Sequence, residues 1–394
     1  MSAPGGLAPL EDLEIASGTV LEPASPVRVA PGPRDPRGAR GALEDLVLPA
    51  LARGPVSVSF SGGRDSSLVL AVACHVARRE GLPDPVAVTI RHESPDSEET
   101  AFQELVVAHL GLQDWVRVDV GTDMDLLGAD ATDFLRASGV LAPPNAYLHL
   151  PMVRAAGSGT LLTGAGGDEI LGPARDRYLR VLQRAAPPRP RDALSLGYAL
   201  APRRVRRWRE QRRPYPFAPW LTASARLAVQ ARLGAATAAE SPRWDVSARS
   251  YARSRGVVLG NAGLAQVGAH HGVDVQSPLL ATGFVDAFAA DLGWAGPPDR
   301  TTSMRRLAGD LLPVEVVERR TKAVFDAVVW GPRYREFART WTPDLLAPGI
   351  RSLVELDRLA EELAGARPVY QLMALVQQSW LRSGAAGRQE PLQG

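Results

Sequence analysis

The segment Val56-Ser57-Val58-Ser59-Phe60-Ser61-Gly62-Gly63-Arg64-Asp65-Ser66-Ser67 decides the fold of this 394-residue chain. It starts with a short apolar run that is typical of a buried strand, and it ends where a helical pattern begins. The two glycines let the backbone approach a ligand closely, and the N–H groups at a helix start favour anions. The segment therefore predicts a strand, a phosphate-binding loop and a helix, with Asp65 able to hold Mg²⁺ against phosphate oxygens.

Further strand and helix patterns alternate along the chain. Runs at 86–90, 115–120 and 160–163 indicate strands, and residues 98–110 indicate a helix. This alternation predicts βαβ units, and therefore an α/β fold in which helices flank a parallel twisted sheet. Ligands bind such sheets beyond the carboxyl ends of the strands, where the loop at 61–67 lies. From about residue 247 onward the pattern is mainly helical.

A second glycine-rich loop follows the strand predicted at 160–163. It reads Thr163-Gly164-Ala165-Gly166-Gly167-Asp168-Glu169 and brings another carboxylate to the same edge of the sheet. Two carboxylates suit a hard cation that keeps part of its water shell. Each loop by itself is also typical of an ordinary strand-to-helix turn, whereas the two loops together favour a nucleotide-binding site.

Composition limits the class of protein. The 45 Lys and Arg residues against 43 Asp and Glu leave a formal charge of +2, which argues against a dedicated nucleic-acid binder. Cys74 is the only cysteine, which excludes a disulfide framework and a Cys-based zinc site and fits a reducing compartment. Because neither a signal peptide nor an apolar run of about 18 residues is visible, we expect a cytoplasmic protein with no membrane contact.

One lysine stands out among the basic residues. Lys322 is the only lysine of the chain, and all the other basic residues are arginine. It lies in the stretch Arg319-Arg320-Thr321-Lys322-Ala323-Val324-Phe325, which follows Leu311-Leu312-Pro313. A compact ammonium can place its charge on a developing oxyanion where a planar guanidinium fits less well.

Together, these motifs resemble the synthetase domain of the asparagine synthetase family. Residues 61–66 resemble the SGGxDS signature of the PP-loop ATP pyrophosphatases, which cleave ATP between the α- and β-phosphates, and they lack the Gly-Lys-Ser/Thr element of a Walker loop. Residues 162–172 resemble the family's second acidic loop, and residues 311–325 resemble its LP…R-x-K-x-x-F stretch. The resemblance covers roughly residues 43–381 and implies an adenine-nucleotide α-hydrolase-like fold. It also implies that a carboxylate attacks the α-phosphate of ATP and that an amine then displaces AMP.

The resemblance also assigns site residues. The expected ATP-binding residues are Ser61, Gly62, Gly63, Asp65, Ser66, Gly164 and Asp168. Asp65 and Asp168 would also bind the Mg²⁺ that bridges the pyrophosphate, and Lys322 would contact the phosphates as a catalytic residue. Asp274 lies where the family has an acid, and it is a candidate general base for the attacking amine, with a turn or capping role as the alternative.

The chain departs from the family in its nitrogen chemistry. Family members that make asparagine have an N-terminal glutaminase domain with a cysteine nucleophile, but residue 2 is Ser here and Cys74 is the only cysteine. We therefore expect nitrogen from free ammonia, from a partner protein or from an amine on the substrate. Ala165 stands where asparagine synthetases have Glu and β-lactam synthetases have Tyr, and alanine cannot move a proton.

We therefore expect an ATP-dependent amide-forming ligase that adenylates a small-molecule or peptide carboxylate in specialised biosynthesis. Two variants stay open: closure of an intramolecular amide, as in β-lactam and lasso-peptide macrolactam synthetases, and asparagine synthesis fed by ammonia or a partner. A carrier or a precursor-binding protein is a further possible partner. Two other classes also stay open, namely a non-catalytic ATP-binding relative and a tRNA-modifying PP-loop enzyme.

The pattern divides the chain into four parts. They are an N-terminal arm or remnant (1–45), the PP-loop ATP-binding core (46–185), a Pro/Arg-rich insertion (186–245) and a mainly helical part that carries the lysine loop (246–394). Within the insertion, residues 203–213 hold seven arginines in eleven positions. This run favours a solvated helix face, with an acidic peptide, a carrier or RNA as alternative partners.

Overall fold

The computed structural model describes residues 9–23, 36–91, 99–120, 124–173, 177–319, 329–365 and 368–384. Its strands form one parallel sheet in the order β3-β2-β1-β4-β5. They are β1 (Val56–Ser59), β2 (Val86–Arg91), β3 (Trp115–Asp119), β4 (Gly159–Leu162) and β5 (Val273–Gln276). The predicted α/β fold with a parallel sheet is confirmed, and it is consistent with the PP-loop fold that the resemblance implies.

Helices cover the sheet and make up most of the C-terminal part. They are α1 (Asp12–Ser17), α2 (Gly38–Arg53), α3 (Arg64–Arg79), α4 (Thr100–Leu110), α5 (Ala129–Ser138), α6 (Leu150–Ala156), α7 (Gly167–Ile170), α8 (Arg177–Leu182), α9 (Pro190–Leu200), α10 (Arg203–Glu210), α11 (Ala223–Ala239), α12 (Trp244–Ala252), α13 (Arg255–Ala269), α14 (Thr282–Leu292), α15 (Arg300–Ala308), α16 (Val314–Val317), α17 (Pro332–Thr340), α18 (Pro348–Arg351), α19 (Leu356–Leu363) and α20 (Met373–Arg382). Within the described ranges, none of these helices is long and apolar enough to cross a membrane.

The strand β5 was not predicted from the sequence. Val273 and Val275 are buried while Asp274 between them is exposed, which is the alternation of a half-buried strand. Four residues are too few for this alternation to stand out, and helical patterns surround them. The sheet therefore gains a fifth strand in a part of the chain that we expected to be mainly helical.

The strand order creates a crevice beside β1. The chain runs from β1 outward to β2 and β3, and it then returns to the opposite side of β1 to form β4 and β5. At such a topological switch point, the connections that follow the two central strands diverge and leave a ligand-binding crevice. The loop at 61–67 follows β1 and the loop at 163–169 follows β4, so both predicted loops meet there.

The helix that follows the first loop is the most deeply buried one near the site. All residues from Leu68 to Cys74 on α3 are buried, and α2 packs against α3 and α14. Burial raises the pKa of the Cys74 thiol to about 12. Because α3 is held by packing on several sides, its first turn offers a rigid base for a binding loop.

The N-terminal residues pack against the rest of the molecule. The helix α2 begins at Gly38 and so crosses the boundary predicted at residues 45–46. In α1, the carbonyl oxygen of Ala16 accepts a hydrogen bond from Trp220 Nε1 at 2.8 Å, and the buried carboxylate of Glu14 pairs with Arg255 at 2.9 Å. Residues 9–23 therefore share a core with the helical part, while the four-part division stays a prediction.

Residues 203–210 of the arginine run form α10, a helix without buried residues, and Arg212 and Arg213 follow it. The guanidinium of Arg212 lies 4.3 Å from the ring centre of Trp208, and that of Arg209 lies 4.6 Å from the ring centre of Tyr198. These stacked arginines lie on the surface of the protein, as expected for a solvated helix face.

Candidate active site

Hydrogen bonds among its own residues hold the first loop. Ser66 Oγ accepts a hydrogen bond from Ser61 N at 3.2 Å and donates one to the carbonyl oxygen of Gly63 at 3.1 Å. Gly62 has a φ of +81°, and a Cβ there would lie 2.8 Å from Gln103 Cγ, so the position requires glycine. The loop thus has one defined shape at the start of α3, where unpaired N–H groups favour an anion.

The second loop packs directly on the first. A Cβ on Gly164 would lie 2.8 Å from Ser66 N, and a Cβ on Gly167 would overlap the carboxylate carbon of Asp65. Gly166 adopts a left-handed φ of +87° as the chain turns into α7. Glycine at these positions lets the two loops touch, which brings all the predicted ATP-binding residues together at one edge of the sheet.

The two predicted metal-binding carboxylates contact the same guanidinium. Arg300 donates a hydrogen bond from Nη2 to Asp65 Oδ2 and another from Nη1 to Asp168 Oδ1. Arg300 is the first residue of α15, a helix whose start is capped by Asp299, which accepts a hydrogen bond from Thr302 N at 2.7 Å. Arg300 was not predicted as a site residue, because it lies 235 residues from Asp65 and nothing in the sequence distinguishes it from the other arginines.

Burial and charge shift the titration of the groups around this contact. Burial raises the pKa of Asp65, and the positive charge of Arg300 opposes that rise. Burial also lowers the pKa of Arg64, which repulsion from Arg300 lowers further. The pKa of Arg300 itself is raised, because the charges of Asp65 and Asp168 outweigh the opposing effect of burial. Two guanidinium groups therefore accompany two carboxylates, and a polyanion would find cationic partners here.

The carboxylates fit a magnesium ion. Asp65 Oδ1 is buried and has no hydrogen-bond partner among the described residues, although Oδ2 contacts Arg300. A buried carboxylate oxygen without a partner, beside a second carboxylate, suits a hard divalent cation. In the described ranges, no group of three or more His, Cys, Asp or Glu residues could hold a metal. Two protein ligands with the remaining positions left to water and phosphate are typical of Mg²⁺.

Arg319 attaches the lysine segment to the first loop. Its Nη1 donates to the carbonyl oxygen of Gly62 at 3.0 Å and its Nη2 to Glu99 Oε1 at 2.8 Å, while the guanidinium stacks 4.0 Å from the ring centre of Phe102. Arg319 was not predicted as a site residue, since its partners are distant in the sequence. Lys322 lies outside the described residues, so its contact with the phosphates stays a prediction.

The structure does not bring Asp274 to this cluster. Asp274 lies in β5 opposite Thr160, two residues before the carboxyl end of β4. Its side chain is 54% exposed and forms an ion pair with Arg53 at 3.2 Å. Its carboxylate also accepts a hydrogen bond from Gln276 Nε2 at 2.7 Å, and neither loop contributes to these contacts. The general-base role of Asp274 therefore has no support from the geometry and stays a prediction.

A cavity of about 1090 Å³ opens beside the second loop. Ala165, Gly166 and Glu169 form part of its wall, and further wall residues come from the N-terminal segment and from α9, α11, α12 and α13. None of the residues of the first loop lines it. Ala165, at the position where the resemblance implies a proton-transferring residue, therefore lines a cavity whose wall includes the second loop and none of the residues of the first.

Comparison with known proteins agrees with this geometry. The chain has no significant match among curated proteins. The sequence model of the family described as asparagine synthase matches residues 38–382, from the start of α2 to the end of α20. The matched range includes all the strands, both glycine-rich loops and Arg300. By this match, the chain belongs to the asparagine synthase family, whose members are ATP-dependent carbon–nitrogen ligases.

Proposed function

We propose that this protein adenylates a substrate carboxylate with ATP and transfers the acyl group to an amine. The products are an amide, AMP and pyrophosphate. The observation that carries this proposal is the convergence of Asp65, Asp168 and Arg300 at the switch point of the sheet, beside a glycine-rich loop. A phosphate-binding loop with two carboxylates and a guanidinium offers the groups that phosphoryl chemistry needs, namely anion binding and charge stabilisation.

The first loop would bind the phosphates of ATP. The hydroxyl groups of Ser61 and Ser66 and the free N–H groups at the start of α3 are donors for phosphate oxygens. Arg64 and Arg300 add positive charge, and a guanidinium pairs with phosphate as well as with carboxylate. Asp65 and Asp168 would hold Mg²⁺, which when bound neutralises the charge that develops on the departing pyrophosphate.

The reaction then has two steps. In the first, an oxygen of the substrate carboxylate attacks the α-phosphorus, and the bond from that phosphorus to the bridging oxygen of pyrophosphate breaks. In the second, the amine nitrogen attacks the acyl carbon, and AMP leaves with the electron pair of the carbon–oxygen bond. The amine must lose a proton, which Ala165 cannot accept. Even an amine that attacks in its neutral form loses one proton as the amide forms, so the step needs a proton acceptor other than residue 165, such as another side chain or water.

Closure of an intramolecular amide is the form of this reaction that the site favours. Asparagine synthesis, by the resemblance, relies on a Glu where this chain has Ala165, and Ala165 lines an open cavity of about 1090 Å³. A small amino acid would fill only part of that volume, whereas a larger molecule that carries both reacting groups would fill it.

Pyrophosphate release tests the proposed function. The purified protein is incubated with Mg²⁺, ATP and a panel of free amino acids, acyl amino acids and short peptides, and AMP and pyrophosphate are both measured. We expect acid-dependent formation of AMP and pyrophosphate, with a loss of about 100-fold or more in Lys322→Ala, because a cation near developing charge contributes several kcal/mol. The control is Arg351→Ala, which removes an exposed ion pair with Asp344. Formation of ADP and phosphate would overturn the proposal, and release unaffected by Lys322→Ala would remove Lys322 from the catalytic residues.

A further inference from the structure

Several charged groups in the wall of the cavity beside the second loop are paired with other protein groups. The carboxylate of Glu14 pairs with Arg255, and Arg253 pairs with Asp286 at 2.6 Å. Glu22 accepts hydrogen bonds from the backbone N–H of Arg255 at 3.0 Å and of Gly256 at 3.2 Å, so a carboxylate already occupies the N-terminus of α13. These charged groups are bound to other protein groups, and this end of the cavity offers no site for an anion.

Other residues of the wall are apolar or carry neutral polar groups. Among them are Leu264, Val257, Tyr198, Ser250 and Asn261. Hydroxyl and amide groups among apolar side chains suit a neutral chain with its own hydrogen-bonding groups, such as a peptide backbone. A highly charged ligand would have to compete with protein groups for the charged residues of the wall, among which Arg206 donates a hydrogen bond to the carbonyl oxygen of Glu240 at 2.9 Å.

The second loop also contributes a carboxylate to the wall of the cavity. Glu169 lines the cavity, is exposed, and has neither a hydrogen bond nor an ion pair within the described part of the chain. It follows directly after Asp168, whose carboxylate contacts Arg300 at the proposed metal site. A carboxylate without a protein partner attracts an ammonium group, so the amine end of a substrate fits here before it loses a proton and becomes the nucleophile.

Glycines on α13 leave space in the cavity. Gly256 and Gly260 lie four residues apart on the helix face that lines it. A Cβ at these positions would come no closer than 3.9 Å to Glu22 Oε1 and 3.8 Å to Pro143 Cδ. Packing therefore does not require glycine at either position, although glycine weakens a helix. Larger side chains would fit the fold but would reduce the volume of the cavity.

We propose that this cavity binds the acyl substrate, and that the substrate is an elongated acid of peptide size with an uncharged body. Its carboxylate and the attacking amine lie beside Ala165 and Glu169, and its uncharged remainder extends along α13. The proposal rests on the function proposed above. A volume of about 1090 Å³ matches the upper end of the roughly 300–1,000 Å³ that drug-sized ligands occupy. A single free amino acid would leave most of this space to water.

A length series of substrates tests the proposal. Acetylated oligoalanine acids of increasing length are compared with free aspartate and glutamate, with hydroxylamine as the amine that traps the acyl group. We expect kcat/KM for pyrophosphate release to rise by about tenfold or more from the shortest to the longest acid, because each added residue contacts more of the wall. The variants Gly256→Leu and Gly260→Leu should remove this gain with length.

Gly283→Leu is the matched control, because Gly283 is an exposed helical glycine in α14 that does not line the cavity, and a Cβ there meets no atom within 4 Å. All three variants should keep the Mg²⁺–ATP-induced rise in unfolding temperature. Free aspartate turned over as well as the longest acid, or an unchanged length dependence in Gly260→Leu, would overturn the assignment of the cavity and leave the ligase function intact. If no acid of any length supports release, the proposed function itself fails.

Discussion

Asp65 and Asp168, which come from different loops, bind one guanidinium between them, that of Arg300. The side chains of Arg300 and Asp65 are only 16% and 18% exposed. Without Arg300, Asp65 would be buried beside a second carboxylate with no contacting cation among the residues that the structure describes. We expect Arg300→Gln to lower the free energy of unfolding of the nucleotide-free protein by about 3–5 kcal/mol, the usual cost of removing one partner of a buried ion pair.

Magnesium should compensate for the loss of Arg300, because the ion and the guanidinium bind the same carboxylates. We expect millimolar MgCl₂ to raise the unfolding temperature more in Arg300→Gln than in the wild type. Arg305→Gln on the same helix is the control, since its ion pair with Glu318 is exposed and should contribute at most about 1 kcal/mol. An equal response to Mg²⁺ in all three proteins would contradict competition for the carboxylates.

Asp168→Asn and Asp274→Asn should differ strongly in their effect on the reaction, because Asp168 lies in the second loop and Asp274 lies in β5. Asp168→Asn removes a proposed Mg²⁺ ligand and should lower acid-dependent pyrophosphate release by about 100-fold or more, since metal ligands carry several kcal/mol of charge stabilisation. Asp274→Asn alters an exposed pair with Arg53 and should change the rate by less than about twofold. Rates of amide formation should be measured alongside, because a selective loss of that step in Asp274→Asn would restore Asp274 as the general base.

The contact between Arg319 and Glu99 predicts a large coupling. Both side chains are almost fully buried, at 6% and 5% exposure, so removal of either partner should cost about 3–5 kcal/mol. In a double-mutant cycle, Arg319→Met with Glu99→Gln should cost clearly less than the sum of the single changes. Urea unfolding measures these free energies, and Arg351→Met, which breaks an exposed pair, is the control. If the free-energy costs of the two single changes simply add in the double mutant, the contact between Arg319 and Glu99 does not hold the lysine segment against the first loop.

His149 should make stability depend on pH. Burial lowers the pKa of His149 to about 4, from the ordinary 6.5, and its buried Nδ1 has no hydrogen-bond partner among the described residues. As pH falls below 6.5, the unfolded chain takes up a proton that the folded protein does not, so the free energy of unfolding falls until about pH 4. The total loss is on the order of 3 kcal/mol.

Urea unfolding across this pH range measures the effect. His149→Gln should flatten the pH dependence, whereas His109→Gln, at an exposed position, should leave it as in the wild type. A slope that persists in His149→Gln would assign the pH dependence to other groups.

Both loops could be predicted from the sequence because their information is local. Gly62 and Asp65 lie within a few residues of a strand and a helix start, and the same holds for Gly164 and Asp168. Arg300 could not be predicted, because its role depends on two carboxylates that only the fold brings near it. The cavity was not predictable for the same reason, since its wall combines residues from the N-terminal segment to α20. Asp274 is the converse case. Its place in the sequence suggested a general base, but its position in β5, opposite Thr160, does not support that role.

Cys74 gives the native protein a built-in reporter of unfolding. It is the only thiol of the chain, it is 1% exposed, and its pKa is raised to about 12. Since reagents attack the thiolate and need access to it, labelling at neutral pH requires that α3 separate from its neighbours. The labelling rate of Cys74 therefore reports how often α3 separates from its neighbours. Because the first loop lies at the start of that helix, a bound nucleotide should slow this rate, so that one alkylation experiment detects ligand binding in the unmodified chain.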